Sequence, residues 1–276
     1  MPESPEVQVL AEFLDGRLSG RTVQDVDLVE FRALKTRARP LSELAKQSVD
    51  GVERIGKHLH VRFADAHLVV SLGRYGWVRW GDDGATGGDE PDAPPALALF
   101  TFDDGGVLEA TDAGGWVSLG LWVVDAPAEV PAIAKLGPDP ADPGFERAAF
   151  DRVVVGRRKQ IKAILQEQES LAGIGNAYSD EILHAAKVSP VAHGAALDPE
   201  ALDRVYTETV GVVTSAITAR RGIPIHDLKA AKVAAMRVHG RAGEPCPVCG
   251  DTIREFAFGS TTAEYCPTCQ TGGAPL

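Results

Sequence analysis

The sequence predicts an α+β protein: an N-terminal helix attached to an antiparallel β-sandwich lobe, then a helical lobe with a helix-two-turn-helix, then a small cysteine-bearing hairpin. Three observations carry this reading. Apolar residues recur at helical spacing directly after the N-terminus. Short β-branched bursts broken by glycine fill residues 22–80 and 97–122, and beyond LGPDPADPG (136–144) the period becomes helical.

The first element begins at Ser4-Pro5-Glu6, where an N-cap residue, a proline at the first helical position and an acid in the first turn coincide. Val7, Leu10, Leu14 and Leu18 then share one face. The bursts VERIGKHLHVRF, AHLVVSL, YGWVRW, ALALFTF, GVLEA and GWVSLGLWVV have strand length and glycine turns, which favours a sandwich or barrel. After the proline-rich boundary, Phe145–Val155, Arg158–Glu169, Asn176–Ala186, Pro199–Arg220 and Leu228–Arg237 read as helices. The expected domains are 1–135, a linker at 136–145, a helical domain at 146–240, and a tail at 241–276.

With 276 residues, 44% of them hydrophobic, and a mean hydropathy of −0.06, the chain has the composition of a globular protein. No apolar run approaches the ~20 residues of a membrane span, and MPESPEVQ lacks a basic leader. A cytoplasmic location is expected, nucleoid-associated if the source is bacterial. The net charge of −11 at first argues against a polyanion partner. It is segregated, however: residues 82–150 hold 14 acids and 2 bases, while 151–276 hold 14 of each. The Gly/Pro/Asp-rich stretch 81–95 reads as a solvated loop, so a polyanion site elsewhere stays open.

The four cysteines fall as Cys246-x-x-Cys249 and Cys266-x-x-Cys269, sixteen residues apart. Two such knuckles favour one tetrahedral structural zinc, with redox pairs or disulfides as the alternative. Residues 252–265 should form the hairpin between them.

Once Met1 is removed, Pro2 would present a secondary amine at the positive end of a helix, where the dipole disfavours protonation. A neutral amine can attack a sugar aldehyde carbon and form an iminium, with Glu3 beside it as acid/base. The bland alternative is a proline that starts a helix. In LAGIGNAYSDEIL (171–183), two glycines permit a sharp turn, and Asn176 would cap a helix whose free N–H groups bind an anion. Lys162 and Arg157-Arg158-Lys159 just upstream complete a plausible phosphate grip, against an ordinary helix–helix turn.

Taken together, MPESPEV, RIGKHL (54–59), SLGRYG (71–76), LGPDP (136–140), IKAILQEQESLAGIGNAYSDEIL (161–183) and VHGRAGEPCPVCG…YCPTCQ (238–270) resemble the formamidopyrimidine-DNA glycosylase/endonuclease VIII (Fpg/Nei) family along the whole chain. The resemblance implies a DNA repair enzyme, a bifunctional glycosylase and AP lyase. It would act as a monomer on damaged double-stranded DNA, with one zinc in its finger. Pro2 would form the Schiff base with C1′, Glu3 would protonate the deoxyribose, Lys57 would assist β-elimination, and Glu6 would be a supporting carboxylate. Asn176 and Lys162 would bind phosphates.

The departures from the family pattern are specific. Where the family has HLGM, this chain has Ser71-Leu72-Gly73-Arg74, which leaves Arg74 or Tyr75 to wedge into the gap of a flipped base. DPRRFG becomes Asp112-Ala-Gly114-Gly115-Trp116, without either arginine. Leu97 stands in the place of a phosphate-binding His, and Thr261 replaces the finger arginine that supports δ-elimination. Residues 244–276 carry one Arg and four acids, and 219–240 looks shorter than the loop that caps 8-oxoguanine. These departures count against classical 8-oxoguanine specificity and the δ step, and leave both open. DNA binding should be weak and salt-sensitive, resting on residues 54–79 and 157–162. The competing expectation is a non-enzymatic protein of the same fold that binds damaged or abasic DNA.

Overall fold

A computed structural model describes residues 1–82 and 93–276. The stretch read as a solvated loop falls mostly outside the described residues. The chain divides into two units. One comprises residues 1–2, 7–134 and 224–226, and the other residues 3–6, 135–223 and 227–276. No described helix is long and apolar enough to cross a membrane.

Helix α1 spans Ser4–Leu18, and the apolar stripe behaves as its spacing requires: Val7, Leu10, Leu14 and Leu18 are all buried. In the first unit, strands β1 (Val23–Leu28), β2 (Val49–Ile55), β3 (His58–Phe63), β4 (His67–Ser71), β5 (Gly76–Gly81), β6 (Ala96–Phe102), β7 (Val107–Asp112) and β8 (Gly120–Val124) build two sheets. Each has four strands, in the orders β1-β6-β7-β5 and β2-β3-β4-β8. Every pairing is antiparallel. A short helix, α2 (Pro131–Ala134), follows. Asp15 of α1 ties the helix to β2 by accepting from the Val52 N–H at 2.8 Å, and that bond is the main reason its carboxyl is lowered.

Strand β7 sits inside its sheet with all six residues buried. One of them is Glu109, 2% exposed, whose carboxylate meets Arg79 of β5 at 2.6 Å. A buried carboxylate tolerates this position only because a cation faces it.

The second unit holds α3 (Arg147–Val154), α4 (Ile161–Gln166), α5 (Asn176–Ala185), α6 (Pro199–Arg220), α7 (Leu228–Ala235), the hairpin β9 (Arg254–Phe258) and β10 (Thr261–Tyr265), and α8 (Pro267–Thr271). Helix α6 has the span read from the sequence, and Asp198 caps it by accepting from the Ala201 N–H at 2.7 Å. Helix α4 is half the expected length. Gly156 turns the chain with a left-handed φ of 75° and Gln160 forms a β-bridge with His193, so the helix begins only at Ile161. Phe150, Ile161, Ile164, Leu165, Ile182 and Val205 fill the core of this unit.

Removing the cation that faces Glu109 should be costly. Arg79→Met is expected to destabilise the protein by about 3 kcal/mol, because an uncompensated buried charge is left behind. The check is a shift in urea midpoint at unchanged slope.

Candidate functional site

The N-terminal carboxylates sit at the start of α5. Gly175, not Asn176, is the N-cap; Asn176 is the first helical residue. The anion at this helix terminus is the protein's own. The Glu3 carboxylate accepts from the N–H groups of Gly175, Ala177 (3.1 Å) and Tyr178 (3.4 Å). The phosphate grip expected from these N–H groups is thus replaced by an internal carboxylate. The Ser4 N–H donates to the Gly173 carbonyl at 2.9 Å, where a φ of 89° requires glycine.

Glu6 lies beside Glu3 and accepts the Glu3 N–H at 3.1 Å. Its other oxygen takes the Tyr178 hydroxyl at 2.7 Å and faces the Arg220 Nε at 3.0 Å. Burial, then the charge of Glu6, pushes the Tyr178 phenol far above its ordinary range, so it donates. Lys232 of α7 places its ammonium 3.1 Å from Glu3 and 3.3 Å from Glu6. Neither Lys232 nor Arg220 stood out in the sequence. LKAAKVAA (228–235) reads as a lysine-bearing solvated helix, and nothing local marks one lysine as turned inward.

Pro2 is buried and belongs to the first unit, as does Lys57. Lys57 is half-buried in the two-residue turn between β2 and β3, which Arg54 braces by donating to the Gly56 carbonyl at 2.7 Å and to Gln8 at 2.9 Å.

The expected phosphate ligands of the helical unit are largely committed elsewhere. Lys162 is fully buried, 2.6 Å from Asp180, and also donates to the Ser179 hydroxyl and the Asn176 carbonyl. It clamps the turn from within, with none of its surface exposed. Arg157 pairs with Glu167 at 2.8 Å and donates to Ser170, while Lys159 takes the other Glu167 oxygen. These partners pull Glu167 down to about 2. Arg158 is exposed. The Asn176 amide donates to the Thr262 carbonyl at 2.9 Å, and its oxygen accepts from Gln166 at 2.8 Å. Of the grip expected at 157–162, only Arg158 faces solvent without such a commitment. Binding there would displace few counterions and carry a shallower salt dependence than the sequence suggested.

In the first unit, Asp112 organises the loop that follows β7. Its carboxylate accepts from the N–H groups of Gly114, Ser118 and Leu119 and from the Ser118 hydroxyl, all within 2.9 Å. Burial opposes the charge, yet these bonds win and the carboxyl is lowered. The Ser118 oxygen in turn receives the N–H groups of Arg74 and Tyr75. Gly73 is obligatory here, because a Cβ would lie 2.2 Å from the Ser118 carbonyl. The product is an exposed aromatic step: Arg74 is exposed, its guanidinium lies over the Tyr75 ring, and Tyr75 meets Trp116 edge-on at 5.5 Å. Trp116 is 60% exposed beside a cleft of about 180 Å³ lined by Arg32, Leu97 and Gly114. Arg74 and Tyr75 are the wedge residues expected from the sequence. The signal for Trp116 was present, a large aromatic directly after Gly-Gly in a loop. Leu97 is buried.

The tail gathers the four cysteines. Their sulfurs lie within 4.8 Å of one another, with Cys246–Cys269 at 3.9 Å and Cys249–Cys266 at 3.4 Å. These separations exceed a disulfide and suit four thiolates around one zinc, which therefore fits as a structural ion. His184, which burial holds down at about 4 and so neutral, places Nε2 3.2 Å from the Cys246 sulfur. The hairpin is also fastened by charge: His239 Nδ1 lies 2.8 Å from Asp180 and 3.0 Å from Glu264 of β10. Burial pulls this imidazole down, but the two carboxylates outweigh it and raise it to about 9.

Two outcomes follow for the tail. Metal analysis should find one zinc per chain, and chelation should abolish the β9–β10 strand signal and lower Tm. Because the folded His239 lies above its ordinary value of 6.5, its stabilisation is complete below pH 6.5 and lost as pH rises through about 9. Unfolding free energy should fall between these limits, and His239→Gln should flatten that segment.

Three family descriptions match the chain: the formamidopyrimidine-DNA glycosylase N-terminal domain over residues 1–115, its H2TH domain over 136–226, and the zinc finger found in FPG and IleRS over 243–272. A formamidopyrimidine-DNA glycosylase of Symbiobacterium thermophilum is 32% identical, with 98% of this chain and 89% of that protein covered. An uncharacterized formamidopyrimidine-DNA glycosylase-like protein of Mycobacterium tuberculosis is 43% identical over 149 residues, covering 54% of this chain and 93% of that one. Among solved structures, the Lactococcus lactis enzyme bound to DNA with an AP site has 25% identity and a TM-score of 0.83, covering 98% and 99% of the two chains. Its complex with an oxidized pyrimidine containing DNA gives 25% and 0.86, covering 98% and 100%. The chain belongs to the formamidopyrimidine-DNA glycosylase family.

Proposed function

We propose that this chain is a DNA glycosylase of base-excision repair, active in the cytoplasm as a monomer on damaged double-stranded DNA, and that it is also an AP lyase. The observation that carries the reading is the pinned Glu3 carboxylate, held by three backbone N–H groups and adjacent in the chain to Pro2.

The chemistry runs through the Pro2 nitrogen once Met1 is removed. The amine bonds C1′ while the damaged base departs with the electron pair of its glycosidic bond. The nitrogen then loses its proton to Glu3, and its lone pair expels O4′, which collects that proton. The resulting iminium withdraws electrons from C2′, so a C2′ proton can leave and the 3′ phosphate is eliminated. Lys57 is the proposed assistant for that elimination, and Glu6 supports Glu3. Trp116, with Arg74 and Tyr75 behind it, is the proposed wedge for the space a flipped nucleotide leaves.

A second reading, binding of damaged or abasic DNA without catalysis, draws support from the internal pairing of Lys159, Lys162 and Arg157. Borohydride reduction on abasic duplex separates the two. Wild type is expected to give a covalent adduct, Pro2→Gly to lose at least about ten-fold of it, and Glu3→Gln to bind without nicking. Binding by wild type with neither adduct nor strand cleavage would favour the second reading. Trp116→Ala should lower base release from duplex DNA by about ten-fold or more, with less effect on single-stranded abasic substrate.

A further inference from the structure

Lys232 is a buried cation that the sequence pattern does not mark. It lies on α7 with only 9% of its surface exposed, bridges Glu3 Oε1 and Glu6 Oε2 at 3.1 and 3.3 Å, and rests 4.9 Å from the centre of the Tyr178 ring. Burial alone would lower its amine. The two carboxylates outweigh burial and raise the amine, so it stays an ammonium and has no lone pair with which to attack a sugar. Its effect must pass through the carboxylates.

The other groups around Glu3 divide by sign. From α1, Glu6 is a like charge whose oxygen takes the Glu3 N–H. From α6, Arg220 is committed to Glu6. From α4, Lys162 is committed to Asp180 of α5, and Tyr178 of α5 gives its hydroxyl to Glu6. Lys232 is thus a cation in direct contact with both carboxylates, while Lys162 attracts Glu3 from farther off. Without Lys232 the two neighbouring carboxylates lose the cation that bridges them, and repulsion between like charges favours the protonated form of one.

We propose that Lys232 is a positioning residue that keeps Glu3 in its carboxylate form, so that Glu3 begins the reaction as the base that relieves the Pro2 nitrogen of its proton and only then acts as the acid toward O4′. This rests on the glycosylase reading above. The N–C1′ bond forms as the glycosidic bond breaks and the base leaves with its electron pair; the proton on nitrogen then moves to Glu3, the freed lone pair makes the C1′=N bond as the C1′–O4′ bond breaks, and the same proton ends on O4′.

Two measurements test it. In the first, the Glu3 carboxyl carbon is followed by carbon-13 NMR across pH, with Glu3→Gln identifying the signal. Lys232→Gln is expected to raise the Glu3 midpoint by at least about one pH unit, and Lys232→Arg to leave it in place. In the second, the pH profile of borohydride-trapped adduct on abasic duplex should show its acid limb moving upward by the same amount in Lys232→Gln and recovering at higher pH. A midpoint that does not move, or one that moves equally in Lys232→Arg, overturns the proposal. So does a loss of thermal stability with no change in the limb, which is the signature of a merely structural lysine. Wild type giving no adduct at any pH would instead overturn the glycosylase reading, and the NMR result would still decide the role of Lys232.

Discussion

The carboxylate of Glu3 caps helix α5 from 172 residues away in sequence. A helix terminus offers several unsatisfied N–H groups and a partial positive charge, and normally a local side chain or solvent answers them. Here the answer comes from the start of the chain, so one ionic contact fixes the third residue of the polypeptide against the turn that gives the helical unit its character. Glu6, Tyr178, Arg220 and Lys232 are then arranged around that anion as alternating charges and donors. Each is buried, and each is tolerable only because the next one is present.

The same logic recurs where the zinc-binding hairpin joins the helical unit. Lys162, Asp180, His239 and Glu264 form a second chain of alternating charge, and the Glu264 N–H also reaches Asp180 at 3.2 Å. The metal closes the loop of the tail, but the charge chain decides which surface the hairpin lies on. Asn176 adds a neutral bond to the same joint through Thr262. The unusual acidity of the tail is partly explained: Glu264 is a fastening, and Asp251 caps the second knuckle by accepting from Thr268.

What could be read from the sequence was what short-range physics determines. The α1 stripe, the Asp198-Pro199 start of α6, the paired knuckles and the hairpin between them all depend on spacing alone. The missed features were those in which a charged side chain turns inward to meet a partner far along the chain. Lys162 and Arg157 looked like a phosphate grip because basic residues beside a glycine turn usually face solvent. Their acids, Asp180 and Glu167, are equally ordinary in sequence. Lys232 was hidden for the same reason, and Glu3 was read as a reagent without its second task as a helix cap. The shortening of α4 likewise required a bridge to His193, a contact no local pattern encodes.

The loop held by Asp112 has a consequence for how quickly a duplex can be examined. Four hydrogen bonds to one carboxylate fix residues 112–119 before any DNA arrives, so the entropy of ordering the loop is lost during folding rather than at each encounter. If Trp116 is the wedge proposed above, its insertion needs no rearrangement of its own support. The barrier at each base step would then be set by the stacking of the DNA, and sliding past sound base pairs would be limited by the nucleic acid rather than by the protein.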